Sequence, residues 1–301
     1  MTTVAPVRQM VTLALSYRHC TRVAREEARN FYYAFRVLPT EKRHAFCAIY
    51  AFMRHSDDIS DAGADRLARL VEWRSRLERT LEGDYGNSAV LPAFHDTLRR
   101  FSIPAELFFE LLRGAEMDLT GVRYRTFHDL YQYCYRVAGV VGLTSIRIFG
   151  FPADREEQAS QLAESCGIAF QLTNILRDLK EDAQSGRTYL PEEDLERFGC
   201  TPSELALSHV GEELRELILY ECQRAWEYYR KALPLLDLVS ADSRPALWAM
   251  MALYASILKR IEQAPLRILR RRAELSDMQK FQILTRGLWT RVTGAPLPAP
   301  F

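Results

Sequence analysis

The sequence contains no apolar run of about 18 residues or more, so we expect that no segment spans a membrane. Its N-terminus lacks the apolar core and the cleavage site of a secretory signal. Neither sign of charge dominates, because 40 basic and 39 acidic residues leave a formal net charge of +1. This balance gives no electrostatic case for a nucleic-acid partner or a strongly acidic one. We expect a cytoplasmic protein whose charges act locally.

Cysteine is sparse and does not form a motif. The sequence has no C-x-x-C pair and no Cys/His cluster with the spacing of a zinc site. The six cysteines lie far apart, at positions 20, 47, 134, 166, 200 and 222. This distribution is typical of reduced, mostly buried thiols in a cytosolic protein.

Signals for β-strands are also scarce, because Val, Ile and Thr rarely alternate with polar residues. Apolar residues instead recur at spacings of three and four, in segments separated by proline and glycine. The chain has 301 residues, 48% of them hydrophobic, which is enough for a sizeable core. No long interior linker, repeat or low-complexity tract divides it. We therefore predict one all-α domain over residues 1–301, a large helical bundle, with residues 1–14 and 288–301 loosely held.

One polar stripe interrupts the apolar segment AFCAIYAFMRHSDDISD, residues 45–61. Steps of four, three and four residues connect Tyr50, Arg54, Asp57 and Asp61. Residues at these spacings lie on one face of an α-helix. The rest of the segment is largely Ala, Ile, Phe and Met, which predicts burial on the other faces. The helix is thus expected to be apolar nearly all round, with a stripe that ends in two carboxylates one turn apart.

A second stripe with the same organisation occurs in FQLTNILRDLKED, residues 170–182. Steps of three, four and four connect Gln171, Asn174, Asp178 and Asp182. The intervening residues are again mostly apolar, as in a buried helix. Two helices therefore carry matching polar stripes, and each stripe ends in an acidic pair.

Acidic pairs of this kind destabilise a helix unless a cation compensates them. Like charges four residues apart repel by roughly 0.2–0.5 kcal/mol even on an exposed helix, and carboxylates late in a helix oppose its dipole. Magnesium prefers carboxylate oxygens and also binds phosphate oxygens. Two facing acidic pairs could therefore hold Mg²⁺ ions that grip a diphosphate and neutralise it as it leaves. The alternative, two solvated helix ends paired with arginines, is less favoured because the motif occurs twice in matching contexts.

Basic residues near both stripes support phosphate binding. Arg54 lies on the first stripe, one turn before Asp57, and suits a bidentate phosphate contact. Arg187 follows a turn at Gly186. Arg177 and Lys180 flank the second stripe but point off it, so solvated positions explain them at least as well.

At these residues the sequence resembles the squalene/phytoene synthase family of head-to-head prenyltransferases. The resemblance is carried by three segments in the order and spacing of the family, and it extends over roughly residues 15–285. The segments are NFYYAFRVLPTEKRHAFCAIYAFMRHSDDISD (30–61), YCYRVAGVVG (133–142) and FQLTNILRDLKEDAQSGRTYLP (170–191). The resemblance implies an all-α isoprenoid-synthase bundle around a central apolar cavity.

The resemblance also implies roles for the polar stripes. Asp57 and Asp61 match the family's first aspartate-rich motif, and Asp178 and Asp182 match the second. Both pairs would hold Mg²⁺, or Mn²⁺ in its place, bound to the substrate diphosphate. Asn174 would complete the metal ligands of the second motif.

Other matched residues would bind substrate or act near the reacting carbons. Tyr133 corresponds to a tyrosine beside those carbons, and Arg54 to an arginine that binds diphosphate. Gln171 leads into the second motif. Four further residues match polar groups that line the diphosphate end in relatives: Tyr50, Arg187, Tyr189 and Tyr254.

In two segments the resemblance does not determine which residues bind the substrate. Many relatives begin the first region with a His-Ser-x-Ser-Phe-like run, whereas this sequence has Glu27-Ala28-Arg29-Asn30-Phe31. The hydroxyl contacts of that run are lost or replaced, although Asn30 could still donate a hydrogen bond. In the basic segment RILRRRAELS, relatives keep one arginine, and the sequence does not choose between Arg271 and Arg272.

The family chemistry ionises one allylic diphosphate and adds the double bond of a second, closing a cyclopropylcarbinyl diphosphate with loss of a proton. Tyr133 or the released diphosphate would accept that proton. The cation requires a dry cavity, because water would quench it. The expected wall residues are Phe31, Phe35, Phe52, Ala138 and Phe170, although core packing explains each of them equally well.

The product is the least determined property. Our main interpretation is condensation of two C15 chains to presqualene diphosphate or squalene. Phe35 could form the floor of a short cavity, and the motif sequences resemble those of bacterial enzymes of that kind. The alternative is phytoene synthesis from two C20 chains. Squalene would require NADPH, for which the sequence has no Rossmann motif, although relatives use NADPH without one. The need for NADPH therefore stays open.

Two other functional classes fit the sequence less well. A non-catalytic assembly or lipid-binding protein of this fold would be expected to have lost an aspartate pair or Arg54, which this sequence keeps. A terpene cyclase would not share YCYRVAG and GRTYLP. Because substrate and product are lipids, peripheral contact with the inner face of the membrane is a further expectation, for example through basic residues 267–272. Oligomeric state is not determined.

Overall fold

The structure is a computed structural model that describes residues 12–28, 32, 34–61, 65–207, 211–293 and 295–301, with residues 60 and 61 described by their backbone alone. These residues form helices joined by short turns, and no β-strand occurs among them. The α-helices are α1 (Leu13–Glu27), α2 (Thr40–Asp61), α3 (Arg66–Leu81), α4 (Leu91–Arg100), α5 (Glu106–Thr120), α6 (Phe127–Cys134), α7 (Val140–Phe149), α8 (Glu156–Gln184), α9 (Glu192–Arg197), α10 (Glu212–Ala232), α11 (Leu235–Leu238), α12 (Arg244–Gln263) and α13 (Asp277–Thr293). The predicted all-α architecture is confirmed.

Helices α2, α8 and α12 carry much of the core. In α12 nearly every residue from Pro245 to Leu258 is buried, and α8 buries residues on most of its circumference over 29 residues. Helix α7 packs against both α2 and α8 and thereby positions the two helices that carry the polar stripes. The apolar side chains of these helices must be removed from water on several faces at once, which only a central position in a bundle allows.

Close helix contacts surround a π-helical segment at Tyr135–Gly139, which joins α6 to α7 within the YCYRVAG motif. A Cβ atom on Gly142 would lie 2.2 Å from the carbonyl oxygen of Ala163, and one on Gly167 would lie 2.3 Å from that of Ala138. Glycine is therefore required where α7 and the π segment cross α8. Close packing of helices thus explains the glycine at position 142.

Contacts at the C-terminus differ from the expectation of a loose end. Residues 288–293 belong to α13, the indole of Trp248 donates a hydrogen bond to the carbonyl of Pro298 at 2.8 Å, and the Phe301 ring lies 5.3 Å from that of Trp226. Residues of the tail contact α10 and α12. The proline content of the tail did not predict these contacts. At the other end, residues 1–11 lie outside the described residues. No helix of the described chain is long and apolar enough to cross a bilayer.

Candidate active site

The first polar stripe lies on α2, as the spacing predicted. Tyr50 is half-buried, and burial raises its pKa to about 12, with Arg54 and Asp57 among the charges that it senses. Arg54 forms an ion pair at 2.7 Å with Asp58, a carboxylate that the sequence analysis did not include. Asp57 is exposed. The side chain of Asp61 lies outside the described atoms, so its predicted role stays a prediction.

The second stripe lies on α8 and is more enclosed. All four residues of the stripe are half-buried, whereas their apolar neighbours are buried, which is the arrangement expected for a polar stripe on a core helix. The amide nitrogen of Asn174 donates to the side-chain oxygen of Gln171 at 3.3 Å. The Oδ1 atom of Asn174 is buried and accepts no hydrogen bond. A buried acceptor without a partner is costly and is expected to be satisfied by a ligand.

Two arginines bind Asp178. Arg177 donates to both carboxylate oxygens, at 2.9 and 2.6 Å, and Nε of Arg272 donates to Oδ1 at 2.6 Å. Burial acts to raise the pKa of Asp178, but the two guanidinium groups outweigh it and hold the pKa below its usual value. Arg177 was expected to point off the stripe. Its long side chain instead turns back and contacts the neighbouring carboxylate of Asp178. Of the two arginines between which the sequence did not choose, Arg271 and Arg272, it is Arg272 that contacts Asp178.

Asp182, one turn further along α8, has the opposite environment. Burial, followed by repulsion from Asp178, raises its pKa to about 7. Arg187 offsets part of this increase, while Asp118 adds to the negative charge. The loop after α8 places Arg187 here, because its backbone N–H donates to the carbonyl of Asp182 at 2.8 Å. Asp182 therefore lies in a region of excess negative charge that a divalent cation would relieve.

Asp118 is a site residue that the sequence analysis missed. It lies at the end of α5 and accepts hydrogen bonds from the hydroxyls of Tyr133, at 3.1 Å, and Tyr189, at 2.8 Å. The rings of these two tyrosines stack with centroids 5.1 Å apart, and Tyr124 lies beside both. Burial, and next the Asp118 charge, raises the pKa of Tyr133 well above its usual value. The buried hydroxyl of Tyr133 is thus a neutral donor to a carboxylate.

A sequence signal for Asp118 existed. It continues, at a spacing of four, the face of α5 that Leu111 and Gly114 bury. A carboxylate that extends a buried helix face is uncommon and merits inspection. The spacing that predicted the two polar stripes does not include Asp118, because Asp118 has no second acidic residue one turn away on that face.

A cavity of about 320 Å³ opens beside this tyrosine cluster. Its lining includes Asp118, Tyr124, Arg187 and Tyr189, and Arg187 connects it to the polar end of the second stripe through its backbone hydrogen bond to Asp182. Of the aromatic wall residues that the structure describes, Phe35, Phe52 and Phe170, none lines it.

Several of those wall residues pack in the core. Phe52 stacks on Phe94 with centroids 4.1 Å apart, and Phe35 stacks on Phe46 at 5.0 Å. Core packing, the alternative explanation, accounts for these contacts. Phe31 lies outside the described residues.

Phe170 and Tyr254 lie closer to the polar groups. Their rings stack with centroids 4.4 Å apart, and Phe170 contacts both hydrophobic clusters of the core. Arg177 and Asn174 are among the groups that modify the pKa of the Tyr254 hydroxyl, which burial raises. Tyr254 thus lies next to the second stripe, and its role at the diphosphate end stays a prediction.

The residues of the second stripe fit a metal ion by their chemistry. Asn174 offers an unpartnered oxygen, and Asp182 offers a carboxylate among like charges. The described residues hold no group of three or more His, Cys, Asp or Glu side chains close enough to form a metal site. A magnesium site here would therefore combine a few protein oxygens with water or phosphate oxygens, which is the usual coordination of Mg²⁺.

An all-α bundle with an acidic helix beside buried tyrosines is consistent with the family that the sequence resembles. The sequence pattern of the squalene/phytoene synthase family matches residues 24–279, and the chain belongs to this family. Members of the family are head-to-head prenyltransferases, so the predicted enzyme class is confirmed.

Individual relatives agree with this assignment. The chain is 36% identical over 287 residues to the 15-cis-phytoene synthase of Synechococcus elongatus, covering 91% of this chain and 93% of that one. It is 35% identical over 295 residues to the phytoene synthase of Mycobacterium tuberculosis, covering 97% and 96%.

Solved structures give the same fold. A dehydrosqualene synthase in complex with ligand superposes with a TM-score of 0.84 at 29% identity, over 94% of this chain and 98% of that one. A squalene synthase from Alicyclobacillus acidocaldarius superposes with a TM-score of 0.77 at 28% identity, over 83% and 94%. The predicted isoprenoid-synthase fold is therefore confirmed.

Proposed function

We propose that the protein condenses two molecules of geranylgeranyl diphosphate head to head and forms phytoene. The observation that carries a diphosphate site is the second stripe, where Asp182 lies among like charges and the Oδ1 atom of Asn174 lacks a partner. The C20 substrate is supported by the relatives named phytoene synthase, which match nearly the whole chain. These relatives favour the alternative of the sequence analysis over its main C15 interpretation.

Arginine side chains would orient the diphosphate. Arg177 and Arg272 already converge on Asp178, and Arg54 projects from the first stripe. Guanidinium groups bind phosphate oxygens in bidentate fashion and keep their charge at any physiological pH. Mg²⁺ held by Asp57, Asp61, Asn174, Asp178 and Asp182 would supply charge neutralisation of the departing diphosphate.

Tyr133 and Asp118 would remove the proton when the cyclopropane ring closes. The substrate carbon gives its proton to the hydroxyl oxygen of Tyr133, and the hydroxyl proton passes to the Asp118 oxygen 3.1 Å away. The electron pair of the broken C–H bond completes the ring, so the step is balanced without an oxidant. A high tyrosine pKa favours this relay, because the tyrosine stays neutral before and after the transfer.

Phytoene formation needs no reductant, because the second carbocation ends by losing a proton rather than by gaining a hydride. We therefore propose Mg²⁺, with Mn²⁺ as a substitute, and no NADPH. A cytoplasmic enzyme at the inner face of the membrane is proposed as its location.

A C15 enzyme is the second candidate. It is supported by the structural similarity to a dehydrosqualene synthase and to a squalene synthase. The two candidates differ in chain length and, for squalene, in the need for a reductant.

Product analysis tests the proposal. Purified protein is incubated with Mg²⁺ and either farnesyl or geranylgeranyl diphosphate, with and without NADPH, and the extracts are examined by mass spectrometry. We expect phytoene from the C20 substrate regardless of NADPH. Dehydrosqualene or squalene from the C15 substrate, with no C40 product, would establish the second candidate instead.

Matched variants tie the product to the site. Asp182→Asn should abolish product, whereas Glu181→Gln changes the neighbouring, exposed carboxylate and should retain it. Absence of a coupled product from every substrate, with the parent protein folded, would contradict the enzymatic proposal and revive a non-catalytic role.

A further inference from the structure

Helix α13 presents an apolar stripe to solvent. Its members are exposed over 42% to 82% of their surface: Met278, Phe281, Leu288, Trp289 and Val292. At about 100° of rotation per residue, these positions fall within roughly one third of the helix circumference. Single exposed apolar residues are ordinary, but five of them on one helix face, two with large aromatic rings, mark a contact surface.

The orientation of α13 is fixed by its opposite face. Leu284, Gly287 and Thr290 are buried against the bundle. A Cβ atom on Gly287 would lie only 3.3 Å from the carbonyl oxygen of Pro245, so this glycine allows α13 to pack closely on α12. Rotation of α13 to bury the apolar stripe would expose Leu284 and place larger residues in this close contact. The stripe is therefore held outward by the packing.

The segment that contains the stripe is basic. Residues 267–293 contain seven arginines or lysines and two acidic residues. Arg267, Arg270 and Arg286 are exposed. An exposed apolar helix face within a basic segment is the composition of helices that lie in the interface of an anionic bilayer.

The segment before α13 is tied to the candidate active site. Arg272 donates to Asp178 at 2.6 Å, and Lys180 donates to the carbonyl of Leu269 at 2.8 Å. The exposed stripe begins at Met278, six residues beyond Arg272. The surface and the diphosphate end of the site are connected by one short, anchored stretch of chain.

We propose that α13 docks the protein on an anionic membrane surface, with its apolar stripe among the acyl chains and its arginines at the lipid phosphates. A second copy of the chain fits this surface less well, because a two-fold contact would place two basic segments against each other. Docking here would bring the site next to the bilayer in which a long prenyl chain dissolves. The proposal concerns the surface alone and does not depend on which prenyl diphosphate is the substrate.

Vesicle binding tests the proposal without substrate. Trp289 is exposed, whereas Trp73 and Trp248 are buried and Trp226 is half-buried, so a shift in fluorescence on binding reports mainly on the stripe. Protein is mixed with vesicles of phosphatidylcholine, alone or with about one third phosphatidylglycerol, and sedimented. We expect sedimentation with the anionic vesicles, a blue shift of the emission, and weaker binding at high salt.

Two matched double variants test the location of the surface. Leu288→Ser with Val292→Ser removes two exposed residues of the stripe, four apart. Leu67→Ser with Val71→Ser makes the same changes at the same spacing on α3, where the residues are 49% and 61% exposed. We expect the first variant to bind anionic vesicles about tenfold more weakly or worse and the second to bind like the parent, with unchanged circular dichroism for both.

Three outcomes would overturn the proposal. They are no binding of the folded parent to anionic vesicles, equal binding by both variants, or self-association of the parent that the α13 variant alone abolishes. The last result would assign the stripe to a second copy of the chain. Because no turnover is measured, failure of the docking proposal is distinguishable from failure of the proposed prenyltransferase activity.

Discussion

The two acidic stripes are nearly interchangeable in the sequence but differ in the folded protein. On α2, Asp57 is exposed and Arg54 pairs with Asp58 rather than with a stripe carboxylate. On α8, Asp178 is half-buried and bound by two arginines, while Asp182 lies among like charges with a pKa of about 7. Equal spacing therefore does not mean equal electrostatics, because burial and tertiary partners decide the charge state.

This difference suggests a division of roles. The α8 stripe is enclosed by side chains from α5, α12 and the segment before α13, so its geometry is fixed before substrate binds. The α2 stripe is more open and would contribute charge once a diphosphate is present. The predictions that follow test whether both halves serve one site.

The largest effect is expected from removing a carboxylate of either half. Asp57→Asn and Asp182→Asn should each lower kcat/KM about 10³-fold or more, because each removes a charge that a Mg²⁺–diphosphate complex needs. Asp58→Asn is the neighbouring control on α2 and should lose less than about tenfold, through its effect on Arg54 alone. Steady-state kinetics with the substrate identified by product analysis provide the measurement. Full activity of Asp57→Asn would show that the first stripe is a solvated helix end and not part of the site.

The next effect concerns the hydroxyl–carboxylate pair. Asp118→Asn should lower kcat about 10²-fold with a smaller change in KM, because the proton passed from Tyr133 loses its acceptor. Tyr133→Phe should have a similar effect, and the double variant should be little worse than either single variant. Glu116→Gln, an exposed residue two positions away on α5, is the control and should behave like the parent. Additive losses would mean that the two residues do not act as a unit.

A smaller effect is expected at the arginine that reaches the α8 half. Arg272→Ala should raise KM about tenfold, because the charge that pairs with Asp178 and faces the diphosphate is lost. Arg272→Lys should recover only part of this loss, since ammonium lacks the planar fork of guanidinium. Initial rates over a range of substrate concentrations separate KM from kcat. If Arg271→Ala raised KM more than Arg272→Ala, the contact in the structure would not be the functional one.

The smallest effect is on stability and depends on pH. The pKa of Asp182 is about 7 in the folded protein and 3.8 ordinarily, so ionisation destabilises the fold increasingly from pH 4 to pH 7 and by a constant amount above. Asp182→Asn should therefore stabilise the metal-free protein by about 1–2 kcal/mol at pH 8, less than the full shift implies because the carboxyl is partly exposed. Near pH 4 the two proteins should unfold at similar temperatures. Thermal unfolding at both pH values, without Mg²⁺, tests this.

Much of the site could be predicted because it depends on the local spacing of polar and apolar residues along the chain. Both stripes, and the helices that carry them, follow from polar residues at spacings of three and four within apolar segments. Tyr133, Tyr189 and Tyr254 came from the family resemblance. The structure places Tyr133 and Tyr189 on Asp118 of α5, and Tyr254 beside the α8 stripe.

The features that were missed or left open depend on contacts between distant parts of the chain. Asp118 gains its role only when α5 brings it to two tyrosines, 15 and 71 residues away. Arg272 reaches Asp178 across 94 residues. The π-helical turn at Tyr135–Gly139 also has no local signature, because it results from packing against α8. Helical periodicity carries no information about such pairings.

The central claim, that the two stripes are halves of one metal–diphosphate site, is tested most directly by a double-mutant cycle. Calorimetric titration of inorganic diphosphate in the presence of Mg²⁺ is made with the parent, Asp57→Asn, Asp182→Asn and the double variant. The account predicts that each single variant loses nearly as much affinity as the double variant, because either loss disrupts the shared site. Independent, additive losses would show that the two acidic stripes bind separately and would contradict it.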